Sequence, residues 1–111
     1  MNEFQITECP NLESVEGLKN SGIQLLVINS CPNIKNIDYL SEFSLLQCCD
    51  FTDCANLESV ESLSSLTLMD RLILKKCYKV KPKPRFLLMD SFEKINEYLS
   101  KFKKDTSEVK G

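Results

Sequence analysis

The 111-residue chain contains no histidine. That removes the commonest general base near neutral pH, and with it the Ser-His and Cys-His pairings that activate nucleophiles. Only three glycines are present, too few for a phosphate-cradling loop. No apolar run approaches the roughly 20 residues that span a bilayer. The N-terminus, from Met1 to Gln5, has neither the basic start nor the apolar stretch of a secretory signal. A chain not already processed there is expected in the cytoplasm, without a membrane partner. What remains is an ordinary globular composition, 42% hydrophobic and 27% charged, enough for one domain with a modest core.

Six cysteines in so short a chain raise the question of a disulfide scaffold. Their spacing answers it. Cys9, Cys31, Cys54 and Cys77 follow one another at intervals of 22, 23 and 23 residues, which is a repeat period. Equivalent positions in stacked units lie about 4.8 Å apart with parallel Cβ vectors, a poor geometry for a disulfide. Reduced thiols packing as small apolar groups are expected instead. Cys48, Cys49 and Cys54 also suggest a thiolate metal site. The repeat register places Cys49 and Cys54 in core columns, so no metal site and no cofactor are expected.

Aligned on those cysteines, four segments share an apolar-x-x-apolar-x-apolar-x-x-Cys-x-Asn-apolar-x-x-apolar-x-x-Leu pattern. Five residues before Cys stand Phe4, Leu26, Cys49 and Leu72, and three before stand Ile6, Ile28, Phe51 and Leu74. Two after stand Asn11, Asn33 and Asn56, with Lys79 breaking the column, and nine after stand Leu18, Leu40, Leu63 and Phe86. The period-two portion predicts a short strand with one face inward. Cys-x-Asn predicts a turn whose Asn side chain satisfies local backbone groups. Apolar residues spaced by three predict a 3₁₀-like return. Each unit needs its neighbours to bury its apolar edge.

The repeats resemble the leucine-rich-repeat family, whose L-x-x-L-x-L-x-x-N/C-x-L signature they match in its Cys-bearing form. Residues 9–15 (CPNLESV) and 54–60 (CANLESV) are similar to repeats of plant disease-resistance and bacterial repeat proteins. The resemblance implies an α/β fold: a short solenoid with a curved parallel β-sheet, an irregular or 3₁₀ convex side, and a concave face that binds protein. Four repeats are assigned to 1–86, three regular and the fourth fading after Val80. A C-terminal capping helix is assigned to 87–104, with Asp90 as N-cap, Glu93 completing a capping box, and Phe92, Ile95, Leu99 and Phe102 on one face. Residues 105–111 are expected to form a flexible tail. The N-terminal edge is left open, a place for a second copy (a homodimer) or another partner.

Residues between the inward columns should line the concave face. The partner-binding set is Gln5, Glu8, Leu25, Val27, Asn29, Asp50, Thr52, Asp53, Arg71, Ile73, Lys75 and Lys76, with the three aliphatic residues forming an apolar patch. Charge is divided: residues 1–69 carry ten acidic and two basic groups, residues 70–111 six acidic and twelve basic. An acidic surface steers a basic partner. The run KKCYKVKPKPR (75–85) invites a nucleic-acid partner, but its single aromatic offers no stacking array. The expectation is a non-enzymatic binding module for another protein. In style it resembles an immunity protein or antitoxin inhibiting a basic toxin or nuclease. The second reading is an adaptor or self-associating scaffold related to longer repeat proteins.

Overall fold

A computed structural model describes the backbone of residues 2–110 and the side chains of residues 2–102. Five strands form one sheet in the order β1-β2-β3-β4-β5: Glu3–Thr7, Leu25–Asn29, Cys48–Thr52, Arg71–Lys75 and Leu88–Met89. The first four pair in parallel without register slips, so that Phe4, Leu26, Cys49 and Leu72 stand side by side, as do Ile6, Ile28, Phe51 and Leu74. Alternation sends these two columns inward, and from β2 to β4 all six residues are buried. The sheet is therefore mostly parallel, with an α/β arrangement completed by one helix, α1 (Phe92–Lys110).

Each of the first three parallel strands leads into a turn and a short 3₁₀ segment, at Glu16–Leu18, Asp38–Glu42 and Glu61–Ser65. The turns are set by the Cys column. The carbonyls of Cys9, Cys31, Cys54 and Cys77 accept hydrogen bonds from the amides of Leu12, Ile34, Leu57 and Val80, three residues on. Pro10 and Pro32 occupy the second turn position, where their fixed φ fits. Asn56 does not serve its own turn as expected: its Nδ2 donates to the Pro32 carbonyl of the preceding repeat at 2.8 Å. Asn11 and Asn33 are exposed. The amides of Glu16, Asp38 and Glu61 donate to Ser14 Oγ, Asn36 Oδ1 and Ser59 Oγ, which start the 3₁₀ segments.

Other hydrogen bonds tie repeat to repeat. Val15 N donates to the Tyr39 hydroxyl at 3.0 Å, and Ser62 Oγ donates to the Ile37 carbonyl at 2.8 Å. The carbonyls of Asn2, Gln24 and Gln47 each accept two amides from the start of the next strand. One core runs through the whole stack, from Val15 to Phe102.

The fourth repeat departs from the expected pattern because Lys83 takes the apolar column of Val15, Ile37 and Val60, and Pro84 stands where a fourth 3₁₀ segment would begin. The chain instead folds back, and β5 pairs antiparallel with β4, setting Met89 opposite Leu72 and Leu88 opposite Ile73. Met89 is 1% exposed and fills the core, whereas Phe86, expected inside, is 50% exposed.

Three boundaries at the C-terminus also differ. Residues 87–91 hold β5 rather than helix, and the helix begins at Phe92. Ser91, not Asp90, caps it: Ser91 Oγ accepts the Lys94 amide at 3.2 Å. Asp90 pairs with the Lys94 ammonium at 2.9 Å, which holds its carboxyl below the usual range. The helical backbone continues past 104 to Lys110, through most of the expected tail, while Gly111 lies outside the described residues.

The helix packs against Glu61–Ser65 and β4. It buries Ile95, Tyr98, Leu99 and Phe102, while Phe92, expected on that face, is 42% exposed. Tyr98 meets Phe102 edge-on at 5.4 Å, and its hydroxyl donates to the Pro82 carbonyl at 2.6 Å. Replacing Ser91→Ala leaves the Lys94 amide without this acceptor and should cost about 1 kcal/mol of unfolding free energy. Urea denaturation checks this: an Asp90→Ala variant should cost less, since Asp90 does not cap.

Candidate functional site

The twelve residues expected to meet a partner all fall on one side of the sheet or just beyond the strand ends. Their cross-strand neighbours are fixed by the register. Gln5, Val27, Asp50 and Ile73 form a central row. Thr7, Asn29, Thr52 and Lys75 form a second, and Glu3, Leu25, Cys48 and Arg71 a third. Glu8, Ser30, Asp53 and Lys76 form a fourth row immediately after the strands. The result is a surface of about four by four positions, with successive strand rows two residues, about 6.6 Å, apart and neighbouring strands about 4.8 Å apart. It gathers neighbours but does not converge on a point: Arg71 and Lys76 stand at opposite ends of β4.

The fourth row has a common backbone feature. Glu8, Ser30, Asp53 and Lys76 all take φ between 56° and 57°, in the left-handed region. None is glycine, so each position carries steric strain of about 1 kcal/mol, tolerated because neighbouring bonds fix it. The amides of Glu8, Ser30 and Asp53 donate to the carbonyls of Asn29, Thr52 and Lys75 on the next strand. This reversal projects four successive side chains from one rim of the sheet.

Leu25, Val27 and Ile73 are half-buried. They do not form the single apolar patch expected, because the register sets Asp50 between Val27 and Ile73. The Asp50 carboxylate accepts a 2.6 Å hydrogen bond from Thr52 Oγ1, and Asp53 Oδ2 accepts one from Ser30 Oγ at 3.1 Å. Both carboxylates are thus oriented by hydroxyls, and neither has an ion-pair partner among the described residues. Chemically, the central row is a carboxylate between two aliphatic side chains. A partner's arginine or lysine fits that arrangement, its aliphatic stem on Val27 or Ile73 and its charged head on Asp50. Arg71, Lys75 and Lys76 make the β4 side of the face basic.

Leu88 was missed by the sequence pattern. Paired with Ile73 it extends the central row across β5, and it is 46% exposed. The apolar run Phe86-Leu87-Leu88-Met89 was its signal, hidden by reading Phe86 as the last repeat position. Leu45 and Leu68, equivalent residues just before β3 and β4, are 48% and 46% exposed and were also missed.

All six cysteines are free thiols. Cys9, Cys31, Cys54 and Cys77 share a role: each Sγ donates to the carbonyl two residues before it, at 3.6, 3.3, 3.7 and 3.4 Å. Cys54 and Cys77 also reach back to the Ile28 and Phe51 carbonyls of the previous strand. Among the described residues no three His, Cys, Asp or Glu side chains gather as metal ligands.

The thiols are nonetheless unequal. Interaction between the neighbouring Cys54 and Cys77 thiols lowers the Cys77 pKa and, together with burial, raises that of Cys54. Burial raises the Cys48 pKa, opposed by Arg71 and reinforced by Asp50 and Asp70. Since the thiolate is the reactive form, limiting iodoacetamide at pH 7.5 should label Cys77 ahead of Cys48. Cys31, Cys49 and Cys54, each 0% exposed, should label only on unfolding. Peptide mass spectrometry reads the order directly.

Among the described residues no helix is long and apolar enough to cross a membrane. The chain matches no family model, no curated protein and no solved structure.

Proposed function

We infer that this chain is a non-enzymatic protein-binding module whose outer strand face takes a basic partner protein. The observation that carries this is the central row, where the Asp50 carboxylate lies between Val27 and Ile73 and is oriented by Thr52. Interfaces are distinguished by such mixtures, apolar contacts beside prepositioned polar groups, more than by bulk hydrophobicity. The four stacked units and their Cys-turn-Asn signature support placing the chain with the leucine-rich-repeat proteins, as a short solenoid capped by α1. In such proteins a rigid array of strands presents variable side chains to a partner.

Within that class, the reading the residues favour is an inhibitor in the manner of an immunity protein or antitoxin. It would act in the cytoplasm by covering the active site of a basic toxin or nuclease. The acidic excess over residues 1–69, ten acidic groups against two basic, supports electrostatic steering of such a partner. The specific observation favouring the alternative, an adaptor or self-associating scaffold, is the basic β4 side, which also suits an acidic protein.

Affinity capture from the source cell with the 111-residue chain as bait tests the reading, with washes from 50 to 500 mM NaCl. A basic protein released progressively by salt is the expected result. Recovery of nucleic acid alone overturns it. An acidic protein, or only further copies of the chain, transfers support to the adaptor.

A further inference from the structure

The two edges of the sheet differ in charge and in completeness. At β1, Phe4, Ile6, Leu12 and Leu18 pack against the core but stay partly exposed. One repeat on, the equivalent Leu26, Ile28, Ile34 and Leu40 are 0% exposed, because a neighbouring repeat covers them. The outer edge of β1 has no strand partner among the described residues. Strand alternation turns the amides of Glu3, Gln5 and Thr7 toward that open side, since Asn2 and Glu8 bond toward β2. Around the edge stand Glu3, Glu8, Glu13 and Glu16, all exposed and none ion-paired among the described residues. Of the nearby cations among the described residues, Lys19 is engaged with Glu42 at 3.6 Å, and Lys35 lies beside Glu13 without closing an ion pair.

The opposite edge is the reverse. Residues 75–85 hold six lysines and arginines and no acidic residue. All six are exposed, and none is ion-paired among the described residues. Beside them Phe86 and Leu87 are 50% and 56% exposed.

A second copy meeting β1 through its own β1 would oppose the four glutamates to themselves, at a cost in repulsion. A second copy meeting β1 through its basic edge places cations against those glutamates and apolar side chains against Phe4 and Ile6. We propose that the chain self-associates head to tail, the acidic β1 edge of one copy docking on residues 75–87 of the next. Because β1 and β5 lie at opposite edges of one sheet, a single copy cannot satisfy both surfaces. Each addition leaves a free end, so growth does not stop at two. The contact draws on Glu3, Glu8, Lys75 and Lys76 at the two margins of the outer strand face and leaves its central Val27, Asp50 and Ile73 open for a different protein.

Sedimentation velocity of the full chain at 50 and 500 mM NaCl provides the first test. The weight-average sedimentation coefficient should rise with concentration at low salt, without a plateau at dimer, and return to monomer at high salt. The second test uses two neutralised variants, Glu3→Gln/Glu8→Gln/Glu13→Gln and Lys79→Gln/Lys81→Gln/Lys83→Gln. All six positions are exposed, so folding should be retained, which circular dichroism checks. Each variant alone should associate at least tenfold more weakly. Mixed together, each supplies the edge the other lacks, and they should form a 1:1 complex that grows no further. Monomer throughout at low salt overturns the proposal. So does a dimer indifferent to the lysine variant, which would mean symmetric pairing, and so does a mixture that associates no better than its components.

Discussion

Replacing Phe51→Ala should lower the unfolding free energy by about 3–5 kcal/mol, the range for deleting a buried aromatic side chain. Phe51 is the largest fully buried residue, 0% exposed, on a strand flanked by parallel neighbours on both sides. Its ring stands beside Ile28 and Leu74, and the hydrogen-bonded ladders on either side of β3 limit how far the cavity can collapse. For a chain of this length total stability is about 5–15 kcal/mol, so the loss is a large fraction of it. Ile6→Ala, in the same column but partly exposed on β1, should cost only about 1–2 kcal/mol. Guanidinium denaturation of the two variants measures the gradient. Equal losses would mean that the first repeat is as fully covered as the third.

The second large effect concerns binding. Asp50→Lys with Asp53→Lys should weaken a basic protein partner by about 30- to 1,000-fold, corresponding to about 2–4 kcal/mol for losing charge-assisted contacts at the centre of an interface. Reversal at Asp50 also sets a cation against the partner's cation between Val27 and Ile73, where water is displaced on binding. Stability should change by less than about 1 kcal/mol, because neither carboxylate is buried and neither closes an ion pair among the described residues. The Thr52 and Ser30 hydroxyls that bond them can turn to water. Calorimetric titration of the captured partner, with parallel denaturation curves, separates the two effects.

Much of the architecture could be read from the residues because the repeat converts one-dimensional spacing into contact. A 22- or 23-residue period places Ile28, Phe51 and Leu74 side by side whatever the loops between them do. Period-two alternation then assigns one face to the core, so the rows of the outer face follow from the same count. Legibility fails where the period fails. From Pro82 onward no repeat constrains the chain, and a fifth strand of two residues is too short to register as an alternating pattern. Phe86 was therefore placed inside, where Met89 sits, and Leu88 was not seen on the outer face.

The left-handed row was hidden for a different reason. Glutamate, serine, aspartate and lysine occupy it, so no residue type marks the conformation, which is imposed by the inter-strand bonds around it. The helix cap was misplaced by one residue because Asp90 and Ser91 are both good caps. Geometry gave the role to Ser91, while Asp90 found Lys94.

Capture with three baits compared side by side bears most directly on the outer strand face as the binding surface. The first is the native chain, the second Asp50→Lys with Asp53→Lys, and the third Glu58→Lys with Glu61→Lys. The last two carry the same change in net charge, but Glu58 and Glu61 are exposed on the 3₁₀ side, away from the strand rows. The native chain and the Glu58/Glu61 variant should retain the same basic protein at 150 mM NaCl, and the Asp50/Asp53 variant should lose it. Equal retention by all three baits, or equal loss from both variants, would contradict a binding site centred on Asp50.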